Sequence, residues 1–333
     1  MNFVDVVVGG IPEPIGGVTN FIYRLASNNM TGEVVDLYPS KKKDIPKSFR
    51  GKFSQVNGRK SFYLYYFFIY FFSKKKIFFN FSSPKGLFLV LLLPKRGNKF
   101  YVVLHHGELC CNFLTLYFFR LLSGKLDRVY AITPTQKVFY EKIGIDDRVI
   151  FLRSTYLPPV EDDFCHGKSS LVHTNKKHLV FIASGYPSSI YNHDWCIKAI
   201  GGRNDAFLHI FMYGDGDKKE QFLNMELPVN VFFHWDTPSF DFMTALASSD
   251  YYLRPTSRDS FGIAVADALN MGAVSIASDV CKRYPGTVLF KNGDYEQFKR
   301  LIDEALGGRP LSLSANFESH NGFSPFCFEG ETL

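Results

Sequence analysis

Asp259 and Asp267 stand eight positions apart around the start of an apolar run that reads Ser260-Phe261-Gly262-Ile263-Ala264-Val265-Ala266-Asp267-Ala268-Leu269. A strand ends near Leu253, a loop carries Asp259, and a helix then runs to Gly272, whose freedom at positive φ caps it. At that spacing one carboxylate precedes the helix and the other lies just over one turn inside it. The pair brackets whatever group rests on the helix N-terminus. An anion suits that place, because the N–H groups of Gly262 and Ile263 lack intrahelical acceptors and Arg254 and Arg258 bring positive charge. A diphosphate fits the pattern.

A second phosphate candidate follows the first strand, where Gly9-Gly10 and Gly16-Gly17 lead into a helix. Its glycines do not match the spacing of a dinucleotide fingerprint, and a plain tight turn explains them equally well. The six cysteines, at positions 110, 111, 165, 196, 281 and 327, form no pair with a two-residue gap. Reduced cytosolic thiols are therefore expected, and no metal site.

The elements that must hold these residues alternate between strand and helix. Strand patterns occupy 3–8, 33–37, 77–81, 100–104, 128–132 and 149–152, and then 178–183, 207–212, 229–233, 251–253 and 274–277. Helices fall at 195–200, 240–247, 263–271 and 295–306. The class is therefore α/β with parallel sheets, built as two Rossmann-like, doubly wound domains. Pro158-Pro159 and an acidic triplet, Glu161-Asp162-Asp163, interrupt every period between 155 and 177, which sets the boundaries at 1–160 and 161–310, with a tail over 311–333. Ligands in such sheets bind beyond the carboxyl ends of the strands, where the candidates above lie.

The segment 251–279 resembles the acidic-x7-acidic donor signature of retaining family 4 glycosyltransferases. Four further segments fall in that family's order: His105-His106-Gly107-Glu108, Ala131-Ile132-Thr133-Pro134-Thr135, Leu179 to Gly185, and Met212-Tyr213-Gly214-Asp215-Gly216. The resemblance covers about residues 1–305 and implies a GT-B fold with two domains facing a central cleft. It implies a nucleoside-diphosphate-sugar donor held by the second domain, a saccharide or lipid-linked acceptor on the first, and retention at the transferred carbon. Gly16 and Gly17 would then face the donor phosphates, with Gly185, Gly214, Gly262 and Ile263 on the donor side. Asp259 would contact the sugar and Asp267 the ribose. His105 or His106 would line the cleft, and His106 is taken as the catalytic candidate. No metal or other cofactor is expected, since a helix dipole and basic side chains neutralise the leaving diphosphate.

The chain departs from the family at instructive points. Aspartate replaces glutamate at both acidic positions. The Gly-Arg and Lys-Gly that usually grip the diphosphate give way to Gly185-Tyr186 and Asn192-His193, and Arg153-Ser154 replaces an Asn-Gly. Arg254, Arg258 or Lys282 must then supply the missing charge. A nucleotide-sugar epimerase or phosphorylase on the same fold, or a non-catalytic partner subunit with a decayed site, are the competing readings.

Residues 1–160 carry 23 Lys+Arg against 10 Asp+Glu, a net of +13, which leaves −7 for 161–333 out of the total of +6. The basic half suits a polyanion, and without a nucleic-acid-binding motif an anionic membrane surface is preferred to nucleic acid. The aromatic run Phe62 to Phe72, followed by Lys74-Lys75-Lys76, reads either as a buried helix or as an amphipathic face at lipid. No signal peptide or membrane span is expected. The setting is then the cytoplasmic face of a membrane, in bacterial surface-polysaccharide synthesis such as lipopolysaccharide or capsule.

Overall fold

The computed structural model describes residues 4–12, 17–38, 43, 45–82, 84–105, 117–118, 120–121, 124–152, 156–160, 164–165, 169–172 and 177–311. The chain divides into two compact units between Leu157 and Pro158.

The first unit is built on strands β1 (Val4–Gly9), β2 (Thr31–Asp36), β3 (Lys52–Gln55), β4 (Lys76–Phe81), β5 (Lys99–Leu104), β6 (Leu126–Ala131) and β7 (Ile150–Leu152). They form one parallel sheet in the order β3-β2-β1-β4-β5-β6-β7. Parallel strands are buried on both faces and so need apolar residues at consecutive positions, as in the Val6-Val7-Val8 and Ile77-Phe78-Phe79 runs. Alternation then separates two cores. Val8, Phe79, Val102 and Val129 meet helices α2 (Gly58–Ile69), α3 (Leu87–Leu92) and α4 (Pro134–Lys142), whereas Val7, Phe78, Val103 and Tyr130 meet α1 (Gly17–Ser27).

The edge strand β3, Lys52-Phe53-Ser54-Gln55, gave no strand pattern in the sequence because it is short, polar and partly exposed. Its pairing with β2 supplies what its composition does not, from Glu33 opposite Lys52 to Asp36 opposite Gln55.

The second unit repeats the scheme with β8 (Leu179–Gly185), β9 (Ala206–Met212), β10 (Val231–Trp235), β11 (Tyr251–Arg254), β12 (Val274–Ser278) and β13 (Val288–Phe290), in the order β10-β9-β8-β11-β12-β13. Its helices are α5 (His193–Ile200), α6 (Lys219–Leu223), α7 (Ser239–Leu246), α8 (Ile263–Asn270) and α9 (Tyr295–Leu306). In both sheets the winding reverses beside the first strand, between β1 and β4 and between β8 and β11. A crevice opens at such a reversal because the two flanking connections leave in opposite directions. Among the described residues no helix is long and apolar enough to cross a membrane.

The aromatic run divides between core and solvent. Phe62, Tyr66 and Tyr70 are buried, and Leu64, Phe67, Phe68, Ile69 and Phe72 are exposed. Asn98 anchors the turn that ends this run. It donates to Tyr66 Oη at 2.8 Å and to the Tyr70 carbonyl at 2.7 Å, and its Oδ1 accepts from the Lys75 N–H at 2.7 Å. Asn98→Ala should cost about 2–3 kcal/mol, since it removes four hydrogen bonds of one buried side chain at once. Urea denaturation measures this, and a loss under about 1 kcal/mol would mean that packing alone holds the turn.

Candidate active site

The connections leaving β8 and β11 at the second reversal are stitched to one another. Asn192 donates its side-chain amide to the Pro255 carbonyl at 2.7 Å, and the Ser257 N–H donates to the Ile190 carbonyl at 2.8 Å. Gly185 ends β8 against the Tyr191 ring, which a Cβ there would overlap, so no larger residue lets the loop fold back. The face of Tyr191 then carries the Arg254 guanidinium, 4.8 Å from the ring centroid.

Arg254 points along the end of β11 to Asp259, its Nε lying 3.0 Å from Oδ2. A second guanidinium reaches the same oxygen, with Arg283 Nη1 at 2.7 Å. Asp259 Oδ1 accepts from the Ser260 N–H at 2.9 Å. The Asp259 side chain is 11% exposed, and burial alone would raise its pKa. The two guanidiniums outweigh that cost and hold the carboxyl well below the usual carboxylate range.

The two arginines are not equivalent. Arg283 is 1% exposed and commits all three nitrogens: Nε to the Ser278 carbonyl, Nη1 to Asp259 and the Phe261 carbonyl, and Nη2 to Thr256 Oγ1 and Ser278 Oγ. It is a fastener for the loops after β11 and β12. Arg254 donates through Nε to Asp259 and through Nη1 to the Ser184 carbonyl, and its side chain is 12% exposed. Two cations on one anion leave one positive charge in excess.

That excess lies at the start of α8. Gly262 precedes the helix at φ 79°, and a Cβ there would come 2.5 Å from Arg283 Nη1 and 3.1 Å from Asp259 Oδ2. Only glycine lets the helix begin beside the ion cluster. The helix N-terminus adds its own partial positive charge to that of the arginines. The ensemble can hold a doubly charged anion such as a diphosphate.

Of the residues singled out from sequence, Gly185, Arg254, Asp259, Gly262 and Ile263 converge on the end of β8, the end of β11 and the start of α8. Asp267 is buried in α8. Gly214 follows β9 and gives its N–H to Asp236 Oδ1 at 2.9 Å. Arg258 and Lys282 are exposed.

The cation that the sequence analysis missed is Arg283. It lies 24 positions beyond Asp259 and is preceded by the exposed Lys282, so nothing in local spacing marked it. The only available signal was an arginine shortly after a strand. His193, in the region where the resembled family carries lysine, supplies no charge. It is 1% exposed, and burial first, then the nearby Arg254, hold its pKa down to about 3.

In the first unit Gly17 opens α1, whereas Gly16 and His106 lie outside the described residues. His105 follows β5, with Nε2 2.5 Å from Asn80 Oδ1 and its ring 5.6 Å from that of Phe21. Desolvation lowers its pKa to about 3, so it stays neutral. Among the described residues no three His, Cys, Asp or Glu side chains gather as a metal ion would require.

Residues 168–319 match the model of a family described as glycosyl transferases group 1. Among solved structures, HepE of Anabaena in complex with UDP-glucose is similar at 10% identity and a TM-score of 0.64, over 92% of this chain and 90% of that one. Sucrose-phosphate synthase from Thermosynechococcus elongatus is similar at 13% identity and a TM-score of 0.64, over 91% and 90%. WaaG, a glycosyltransferase involved in lipopolysaccharide biosynthesis, is similar at 17% identity and a TM-score of 0.58, over 91% and 90%. At these identities the likeness establishes the fold alone, the two Rossmann-like domains of a GT-B protein. No curated protein sequence matches the chain.

Arg283→Met should destabilise the second unit by about 3 kcal/mol, because it leaves a buried carboxylate with one cationic partner. Differential scanning calorimetry checks this, and an unchanged melting temperature would show the cluster to be dispensable. The pH dependence has a definite sign. Asp259 has a folded pKa below its unfolded value of about 3.9, so its contribution is present above that pH and is lost as the pH falls. Below about pH 5 the stability of Asp259→Asn should decline less steeply than that of the wild type, from a lower plateau. Parallel curves in acid titration would contradict the pairing.

Proposed function

We propose, for a chain whose residues 168–319 match the glycosyl transferases group 1, that the protein moves a sugar from a nucleoside diphosphate to a saccharide or lipid-linked acceptor, with retention. The observation that carries this reading is the excess positive charge of the Arg254–Asp259–Arg283 cluster at the start of α8. The bond from the sugar's anomeric carbon to the diphosphate breaks, the acceptor oxygen bonds to that carbon, and the acceptor's proton passes to the departing diphosphate. Charge grows on the departing diphosphate, and groups already aimed there stabilise it without reorganising.

Arg254 and the N–H groups of Ile263 and Gly262 are the donors in this scheme. Asp259 holds Arg254 in place while one side of its carboxylate faces the sugar, and Asp267 takes the ribose. Gly185 and Gly214 let the loops beyond β8 and β9 approach the nucleotide, and the resemblance gives Gly16 and Gly17 a part in phosphate binding. His106 contacts donor or acceptor. The family resemblance supports these last assignments. UDP is the preferred nucleotide, since HepE holds UDP-glucose, and no metal is required because guanidiniums and a helix terminus carry the charge.

Surface-polysaccharide synthesis is the setting we infer, supported by the similarity to WaaG. An anionic membrane on the cytoplasmic side would present the acceptor, and the net charge of +13 on residues 1–160 supports that placement.

UDP should raise the melting temperature in the presence of a chelator, and Arg254→Ala should weaken its binding roughly tenfold or more, as expected for one charge-assisted hydrogen bond. Asp259→Asn should lower kcat more than it raises KM. If no nucleoside diphosphate stabilises the protein, the donor reading fails and a non-catalytic partner subunit remains.

A further inference from the structure

The solvent side of the aromatic run forms one face of α2. Leu64, Phe67, Phe68, the half-buried Phe71 and Phe72 follow one another at i, i+3, i+4, i+7 and i+8, the last two in the turn beyond the helix. Phe68 is 84% and Phe72 81% exposed, an unusual state for phenylalanine and more so for several together. The face is rigid. Phe62, Tyr66 and Tyr70 seat the opposite side in the core, Asn98 clamps the turn, and the Phe67 and Phe71 rings stack at 4.6 Å.

The charge around the face is as distinctive as its apolarity. Lys60, one turn before Leu64, and Lys74, Lys75, Lys76, Arg96 and Lys99 are exposed, with the Arg96 guanidinium 5.2 Å from the Phe71 ring centroid. Asn98 fixes the lysine cluster beside the rings through the Lys75 N–H. A second copy of this face would bring like charges together, which opposes self-association. A bilayer with anionic headgroups offers both what the rings and what the lysines need. The helix, at 12 residues, is far below the ~20 needed to span one.

We propose that this face is a membrane-insertion ridge: Leu64, Phe67, Phe68 and Phe72 enter the boundary between headgroups and acyl chains while Lys60 and Lys74 to Lys76 bind anionic headgroups. The inference deepens the membrane placement given above and rests on it. It adds an apolar component that salt does not screen, since burying phenylalanine is indifferent to ionic strength whereas lysine attraction fades with the Debye length.

The test is co-sedimentation of the full chain with phosphatidylcholine vesicles, with and without phosphatidylglycerol, across ionic strength. The wild type should bind the anionic vesicles, and high salt should weaken this without abolishing it. The pair Phe68→Ser and Phe72→Ser should lower partitioning about tenfold or more and remove the salt-resistant part, with the melting temperature unchanged because both side chains face solvent. Phe68→Trp should add a blue-shifted emission when anionic vesicles are added, read against the wild type. Serine variants that bind as the wild type does, or an added indole emission that does not move in the Phe68→Trp variant, would overturn the proposal. A lipid-free dimer seen by light scattering and dissolved by the serine pair would assign the ridge to a second copy instead. Neither donor nor acceptor enters this assay, so its failure leaves the glycosyl-transfer reading intact.

Discussion

A carboxylate that is nearly out of contact with water must be paired, and in this protein Asp259 meets that requirement through two arginines, one at a strand end and one in a loop. Arg254 comes from the end of β11 and Arg283 from the connection after β12, so the ion cluster fixes two strand ends and the start of α8 in one place. Remove the carboxylate and two guanidiniums are left facing each other. Remove either guanidinium and the carboxylate loses the interaction that offsets its burial. The glycine at 262 and the aromatic shelf at Tyr191 follow from the same constraint, one by leaving room and the other by covering the face of Arg254.

The arrangement supplies positive charge where the sequence lacks the cations that the resembled family usually carries. His193 lies in the region where that family carries lysine but is buried and neutral, and Tyr186 follows Gly185 where that family usually has arginine. Charge is instead drawn from residues that a short motif does not contain. Arg283 saturates its hydrogen bonds within the protein and fixes geometry, which leaves Arg254, anchored but part-exposed, as the guanidinium that can meet a ligand. One buried cation positions the other, and the site retains a net positive charge despite its aspartate.

The first unit uses aromatic residues in a different way. Rings at Phe62, Tyr66 and Tyr70 fill the space between α2 and the sheet, and Asn98 ties Tyr66 and the Tyr70 carbonyl to the turn beyond the helix. The helix surface opposite remains apolar where a polar face is usual for a helix of its kind. Burial therefore explains only half of the run, and the surrounding lysines give the other half its chemistry.

The sequence by itself determined the class and the alternation of strand and helix. Consecutive Val, Ile and Phe at β1, β4 and β5 can be satisfied only in strands covered on both faces, and the residues around Gly262 marked a strand-loop-helix turn. The loop that leads from Arg254 into the helix at Ile263 was legible for the same reason, since its residues lie close together in the chain. β3 was not legible, because an exposed polar tetrapeptide becomes a strand only by pairing with β2. Arg283 was not legible either, because its partner lies 24 positions away and only the parallel order β8-β11-β12 brings the two loops together. The division of the aromatic run was likewise a tertiary decision: a stretch that is almost all apolar carries no polar stripe to mark an outer face, and only the sheet beneath α2 selects which rings are covered. Periodicity and spacing report local preference, whereas ion pairing across loops and the choice of a buried face depend on neighbours that the fold supplies.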